Sequence, residues 1–202
     1  MLALTGCHRW HNARFVQGSA VTASRHHNLR HGWLAHAFRA PRALRSTLSD
    51  RGSLTQRLKS QYADFSVIPI ARGLAPPFLD EARALHLHSH TLAYVRDVLL
   101  IGDGHVRVFA HSVLPRSSLR GDWNGITRLG TKPLGEALFT NPRIRRRDLT
   151  IRRLDVRHPL YRAAQRHTGI TVRHLWARRS VFCLGGRPLL VTEVFLPAIN
   201  SP

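Results

Sequence analysis

Cysteine is almost missing from this chain: among 202 residues only Cys7 and Cys183 carry a thiol. Two cysteines cannot build a disulfide framework, so a reducing compartment is expected. Long apolar stretches are missing too. The longest, residues 98–101 and 188–192, have strand length and fall far short of the ~18 residues of a membrane-crossing helix. No phosphate loop, dinucleotide fingerprint, nucleophile elbow or paired-cysteine zinc motif occurs. Those gaps remove the most readable routes to nucleotide, acyl-transfer and zinc chemistry. Acidic residues are scarce: 11 against 31 basic ones, with none before Asp50. Lysine is scarcer still, since only Lys59 and Lys132 are not arginine.

What remains is an ordinary globular composition, 43% hydrophobic and 21% charged, carrying a formal net charge of +20. Such a field attracts any anion, whether nucleic acid, an acidic membrane surface or a small polycarboxylate, and does not choose among them. Its distribution is uneven. Residues 1–49 hold seven arginines, six histidines and no acid. The acid-free, arginine-rich start is similar in composition to organellar targeting segments. Residues 1–32 are therefore expected to form a basic, disordered N-terminal extension, and residues 33–202 a folded domain.

The pattern predicts a short helix over residues 41–48, with Pro41 at its first turn. Ser53 stands three residues before Gln56, a capping-box spacing, and opens a second helix through Leu58. A helix pair flanked by Arg51 and Arg57 invites a DNA-binding reading, but a packing hairpin is the plainer one. Beyond it the chain is mainly β. Strands are expected over residues 65–70 (closed by Arg72-Gly73), 91–101, 106–114, 149–154, 180–184 and 189–196. Gly102-Asp103-Gly104 and Gly185-Gly186 are hairpin turns. Helical patches cover residues 134–139 and 159–165. Strands joined by tight turns imply an antiparallel sheet with helices on one face or at an end, an α+β domain.

Two ionisable residues sit awkwardly. Residues two apart in a strand share a face. Glu193 shares one with Leu189, Val191 and Phe195, and the opposite face is equally apolar. Of the three glutamates, Glu81, Glu136 and Glu193, this one has the driest expected setting. Arg96 lies among Tyr94, Val98 and Leu100. A buried guanidinium cannot shed its proton and demands an anion. Either the two neutralise each other in a core ion pair, or both line a cavity and Arg96 grips a ligand carboxylate; spacing alone leaves both open. His86, His88 and His90 alternate as metal ligands might, but lack a fourth donor. Arg145-Arg146-Arg147 and Arg178-Arg179 read as solvated basic faces.

Five ordered blocks carry a resemblance. They are Asp50-Arg51-Gly52-Ser53-Leu54-Thr55-Gln56-Arg57-Leu58, then Val95-Arg96-Asp97-Val98-Leu99-Leu100, then Leu129-Gly130-Thr131-Lys132-Pro133-Leu134-Gly135, then Trp176-Ala177-Arg178-Arg179-Ser180, and finally residues 188–197 around Glu193. Together they resemble the chorismate pyruvate-lyase (chorismate lyase) family over residues 33–197. The resemblance implies a single antiparallel sheet with helical flaps covering an enclosed ligand site. It also implies a cofactor-free, cytoplasmic lyase that converts chorismate to 4-hydroxybenzoate and pyruvate for ubiquinone biosynthesis. On that basis Arg96 and Glu193 are the catalytic candidates, and Arg96, Leu134, Glu193 and Leu54 the substrate-binding ones, the two leucines through their backbone amides. A monomer is expected, without nucleic acid as a partner, without stable membrane insertion and without a metal. The same sheet also resembles non-catalytic effector-binding modules of transcriptional regulators, which is the alternative function.

Overall fold

The computed structural model describes residues 32–88 and 90–197. The extension expected over residues 1–32 lies, Gly32 apart, outside the described residues. The chain runs α1 (Arg42–Ser49), α2 (Leu54–Gln61), β1 (Phe65–Ala75), α3 (Leu79–Ala84), β2 (Ala93–Gly102), β3 (His105–Pro115) and a four-residue helix α4 (Arg116–Leu119). A 3-10 turn (Asn124–Arg128) follows, then α5 (Leu134–Thr140), β4 (Arg145–Arg146), β5 (Thr150–Leu154), α6 (Pro159–Thr168), β6 (Leu175–Leu184) and β7 (Arg187–Phe195). All seven strands form one antiparallel sheet in the order β1-β2-β3-β7-β6-β4, with β5 pairing the other end of β6.

Local chemistry explains most boundaries. Ser53 caps α2 by accepting from the Gln56 amide at 3.3 Å. The β2–β3 turn places Asp103 and Gly104 at φ of 50° and 73°, the left-handed pair that matches the twist of a tight hairpin. Gly169 ends α6 in the left-handed region at φ 68°.

Three sequence expectations change. Strand β1 does not stop before Arg72-Gly73 but continues to Ala75, with a register shift between Pro69 and Ala71. Proline cannot donate to a ladder, and at the sheet edge a bulge absorbs it. Strand β6 begins at Leu175, five residues earlier than residues 180–184 suggested, because Arg178-Arg179 disguised its first half. Helices cover both faces rather than one. On one face Leu48 of α1 and Leu54 and Leu58 of α2 pack on Val67, Val98, Leu100 and Val108. On the reverse, Leu160, Tyr161 and Ala164 of α6 pack on Leu99, Phe109, Ala177 and Val194.

Candidate functional site

A hollow opens between the sheet and the helices α2 and α5. Its floor is made by the central strand. Ala110 of β3 lies between Val98 of β2 and Glu193 of β7, and Ser112 lies between Arg96 and Val191. Two small side chains amid large ones leave space that the neighbours do not fill. The roof is the first turns of α2 and α5, with Leu54, Thr55, Leu134 and Gly135 all lining the hollow. About 590 Å³ there is free of protein atoms, part of it continuous with solvent.

The two helix starts meet closely. A Cβ added to Gly135 would stand 2.7 Å from the Thr55 hydroxyl oxygen, so only glycine permits this approach. Leu54 and Leu134 are each the first residue of their helix, and their amides have no intrahelical acceptor.

Arg96, Glu193, Leu134 and Leu54 therefore share one cavity lining. Arg96 is 4% exposed, and its Nη2 donates to the carbonyls of Gly130 at 2.9 Å and Lys132 at 3.3 Å. Among the described residues no carboxylate pairs with it. Burial, with Arg72 adding its like charge, pushes this guanidinium below its ordinary value, against a smaller opposing influence of Tyr94.

Glu193 does find an arginine, but a different one. Nε of Arg178 donates to Glu193 Oε2 at 2.5 Å, and its Nη1 donates to the carbonyls of Thr47 and Asp50, both at 2.7 Å. The direct Arg96–Glu193 core pair is thus not formed. Between Arg96 and Glu193 lie two inter-strand steps and a two-residue offset along β3, which separates their Cα atoms by about 12 Å.

Sequence reasoning missed two of the four charged groups in this lining. Arg178 is 1% exposed and Arg179 6%, so that dipeptide is no solvated face. Arg146, read as part of a second solvated cluster, also lines the hollow. The signal for Arg178 was alternation: extending the strand backwards from Ser180 puts it on the face of Phe182. Glu193 is also not the driest glutamate. Its side chain is 18% exposed, whereas Glu81 is fully buried.

Glu81 belongs to a charged row on the reverse face. Asp97, His111, Thr192 and Arg179 are register neighbours across β2, β3, β7 and β6. His111 Nδ1 lies 2.6 Å from Asp97 Oδ1, and its Nε2 3.2 Å from Glu81 Oε1. Burial would lower the His111 pKa, but the Glu81 charge and the hydrogen bond to Asp97 outweigh it and push it up to about 10. Asp80 accepts from Arg179 Nη1 and from the Trp33 indole, each at 2.8 Å. Burial opposes its ionisation, but His158 and Arg179 hold the carboxyl well below the usual range. His86, His88 and His90 form no metal-binding group with other donors among the described residues.

The sequence model of the chorismate lyase family matches residues 33–201. The chain belongs to the chorismate lyase family. A probable chorismate pyruvate-lyase of Thiobacillus denitrificans is 68% identical over 174 residues, covering 86% of this chain and 93% of that one. A protein of the same description from Aromatoleum aromaticum is 49% identical over 166 residues, covering 80% and 88%. Among solved structures, the effector domain of PhnF from Mycobacterium smegmatis superposes with a TM-score of 0.50 at 15% identity, covering 74% of this chain and 90% of that one. That likeness concerns the fold alone.

Proposed function

We propose that the protein acts as a chorismate pyruvate-lyase, eliminating pyruvate from chorismate to leave 4-hydroxybenzoate for ubiquinone biosynthesis. One observation beside family membership carries the reading: a buried arginine without a carboxylate partner among the described residues lines a cavity shared with a carboxylate already neutralised by another arginine.

The reaction breaks the bond between the ring carbon and the ether oxygen of the enolpyruvyl group. The hydrogen on the neighbouring, hydroxyl-bearing ring carbon departs as a proton. Its electron pair completes the aromatic ring, while the ether oxygen leaves with the bonding pair as an enolate, which gains a proton on its methylene carbon and becomes pyruvate. No external oxidant or reductant enters. Aromatisation makes the step strongly downhill, so the protein need mainly hold one conformer, exclude water and place charge where it develops.

In this reading Arg96 takes the ring carboxylate with its planar fork, assisted by the amides of Leu134 and Leu54. Glu193, as the anionic partner of Arg178, accepts a hydrogen bond from the ring hydroxyl at the other end. That contact fixes the ring and leaves open a direct transfer of the ring hydrogen to the enol carbon. The protein works as a cytoplasmic monomer. No helix among the described residues is long and apolar enough to cross a membrane.

Incubating purified protein with chorismate and following pyruvate with lactate dehydrogenase, and 4-hydroxybenzoate by absorbance, tests the proposal. Equimolar appearance of both is expected. Tight binding of 4-hydroxybenzoate with no pyruvate from chorismate would instead mark a non-catalytic effector-binding module.

A further inference from the structure

The cavity lining holds three guanidinium groups, Arg96, Arg146 and Arg178, and one carboxylate, Glu193, and so carries two surplus positive charges. Arg178 is committed to Glu193 and to two backbone carbonyls. Arg146 is not committed in this way. Its Nε donates to Ser180 Oγ at 2.9 Å and its Nη1 to the Arg51 carbonyl at 2.5 Å. Its Cζ lies 5.3 Å from the ring centre of Phe182 and 5.5 Å from that of Phe139, which fix the guanidinium plane. Among the described residues no carboxylate forms an ion pair with it. Burial and the charge of Arg178, opposed by Glu193, bring Arg146 down to about 10, so it remains a cation at neutral pH.

Position selects its role. The sheet order puts Arg96 on β2, Glu193 two strands away on β7, and Arg146 two strands further on β4. Chorismate has two carboxylates. With the ring carboxylate on Arg96 and the ring hydroxyl on Glu193, the enolpyruvyl ether, on the carbon next to that hydroxyl, falls at the Glu193 end. We infer that Arg146 binds the enolpyruvyl carboxylate of the substrate, an assignment that rests on the lyase reading above. The two surplus charges then match a dianion on entry. After cleavage the second carboxylate leaves with pyruvate, and 4-hydroxybenzoate keeps the contacts of Arg96, the Leu134 and Leu54 amides and Glu193, but not that of Arg146. Arg146 thereby distinguishes substrate from product in a cavity whose other contacts serve both alike.

The test compares the parent with Arg146→Met, reading kcat/KM for chorismate beside the inhibition constant of 4-hydroxybenzoate. A fall of at least tenfold in kcat/KM is expected, with the product constant changed less than threefold. Arg146→Lys, which keeps charge but not the fork, should recover part of the loss. If both constants deteriorate alike, or neither moves, the assignment is wrong. Should Arg146→Met fail to fold, Arg146→Lys must show the same asymmetry on its own or the inference falls. A parent protein that makes no pyruvate overturns the lyase reading and this assignment together; an active parent with a symmetrical loss overturns only the assignment.

Discussion

Replacing Arg96 by methionine separates a binding group from a structural one, because the two make opposite demands on stability. In the folded protein Arg96 is desolvated and faces only the carbonyls of Gly130 and Lys132, both in a partly exposed loop that water can reach. Methionine fills similar volume without a charge to bury. Relief of desolvation offsets two modest hydrogen bonds, so the unliganded variant should lie within about 1 kcal/mol of the parent, or above it. For a chain of this size that is a Tm within about 2–4 °C. Ligand binding should behave differently. A carboxylate left unpaired in a dry cavity loses about 3 kcal/mol or more, on the order of a hundredfold in affinity. Thermal unfolding with and without 4-hydroxybenzoate reads both at once, since stabilisation by ligand follows RT ln(1 + [L]/Kd). The control is Glu193→Gln, which strands Arg178, 1% exposed, without an anion. That variant should lose about 3 kcal/mol of stability before any ligand is added. If Arg96→Met melts many degrees lower and yet keeps the ligand-induced shift, Arg96 is an architectural residue and the carboxylate assignment is wrong.

Other outcomes follow from the same geometry. Gly135→Ala sets a methyl 2.7 Å from the Thr55 hydroxyl and should drive the starts of α2 and α5 apart. Roughly tenfold loss of kcat/KM is expected although alanine favours the helix by about 1 kcal/mol, and unchanged kinetics would mean that the close approach has no part in binding. For His111, the folded pKa is raised to about 10 from an ordinary 6.5. Its contribution is complete below pH 6.5 and is lost as pH rises towards 10. Urea titrations should therefore show stability declining over that window by a few kcal/mol, and a flatter profile in His111→Gln; identical profiles would dismiss the charged bridge. Product shares the ring carboxylate and hydroxyl with substrate, so release should limit turnover. Rapid-quench measurements should show a burst of 4-hydroxybenzoate close to one per protein, and linear progress from the first turnover would count against an enclosed site.

Much of this architecture was legible from residues. Turn chemistry and alternation located both hairpins, and the Ser53–Gln56 spacing located α2, because those signals are local. The two apolar-faced charges, Arg96 and Glu193, stood out for the same reason: each breaks a pattern that neighbours two residues away define. What could not be read was who pairs with whom. Arg178 lies 15 residues from Glu193 but directly across a strand pair, and only the β6–β7 register brings them together. Arg178-Arg179 misled because alternation sends two adjacent arginines to opposite faces, where each is buried by a different helix layer. A polar dipeptide in sequence then looks like surface when it is neither. Glu81 was hidden likewise. It lies on a six-residue helix too short for periodicity to reveal, and its burial depends on His111 coming from β3.

The two faces of these strands put their charges to different uses, and sequence neighbours make the comparison direct. Arg96 faces the cavity and Asp97 the reverse; Glu193 and Thr192, and Arg178 and Arg179, divide in the same way. On the reverse face three carboxylates, Asp80, Asp97 and Glu81, meet Arg179, His111 and His158 at ion-pair distances of 2.6 to 3.8 Å. Every one of those carboxylates has a side-chain nitrogen partner among the described residues. Such a row is evidence of architecture, since partnered buried charges fix strand register whether or not they add stability. On the cavity face the count does not close. Two guanidinium groups remain without a carboxylate among the described residues, in a space no side chain fills. Burying a cation is costly and burying two close together more so, unless an anion from outside completes the set. The imbalance, rather than burial or charge alone, is what separates a ligand site from a polar core.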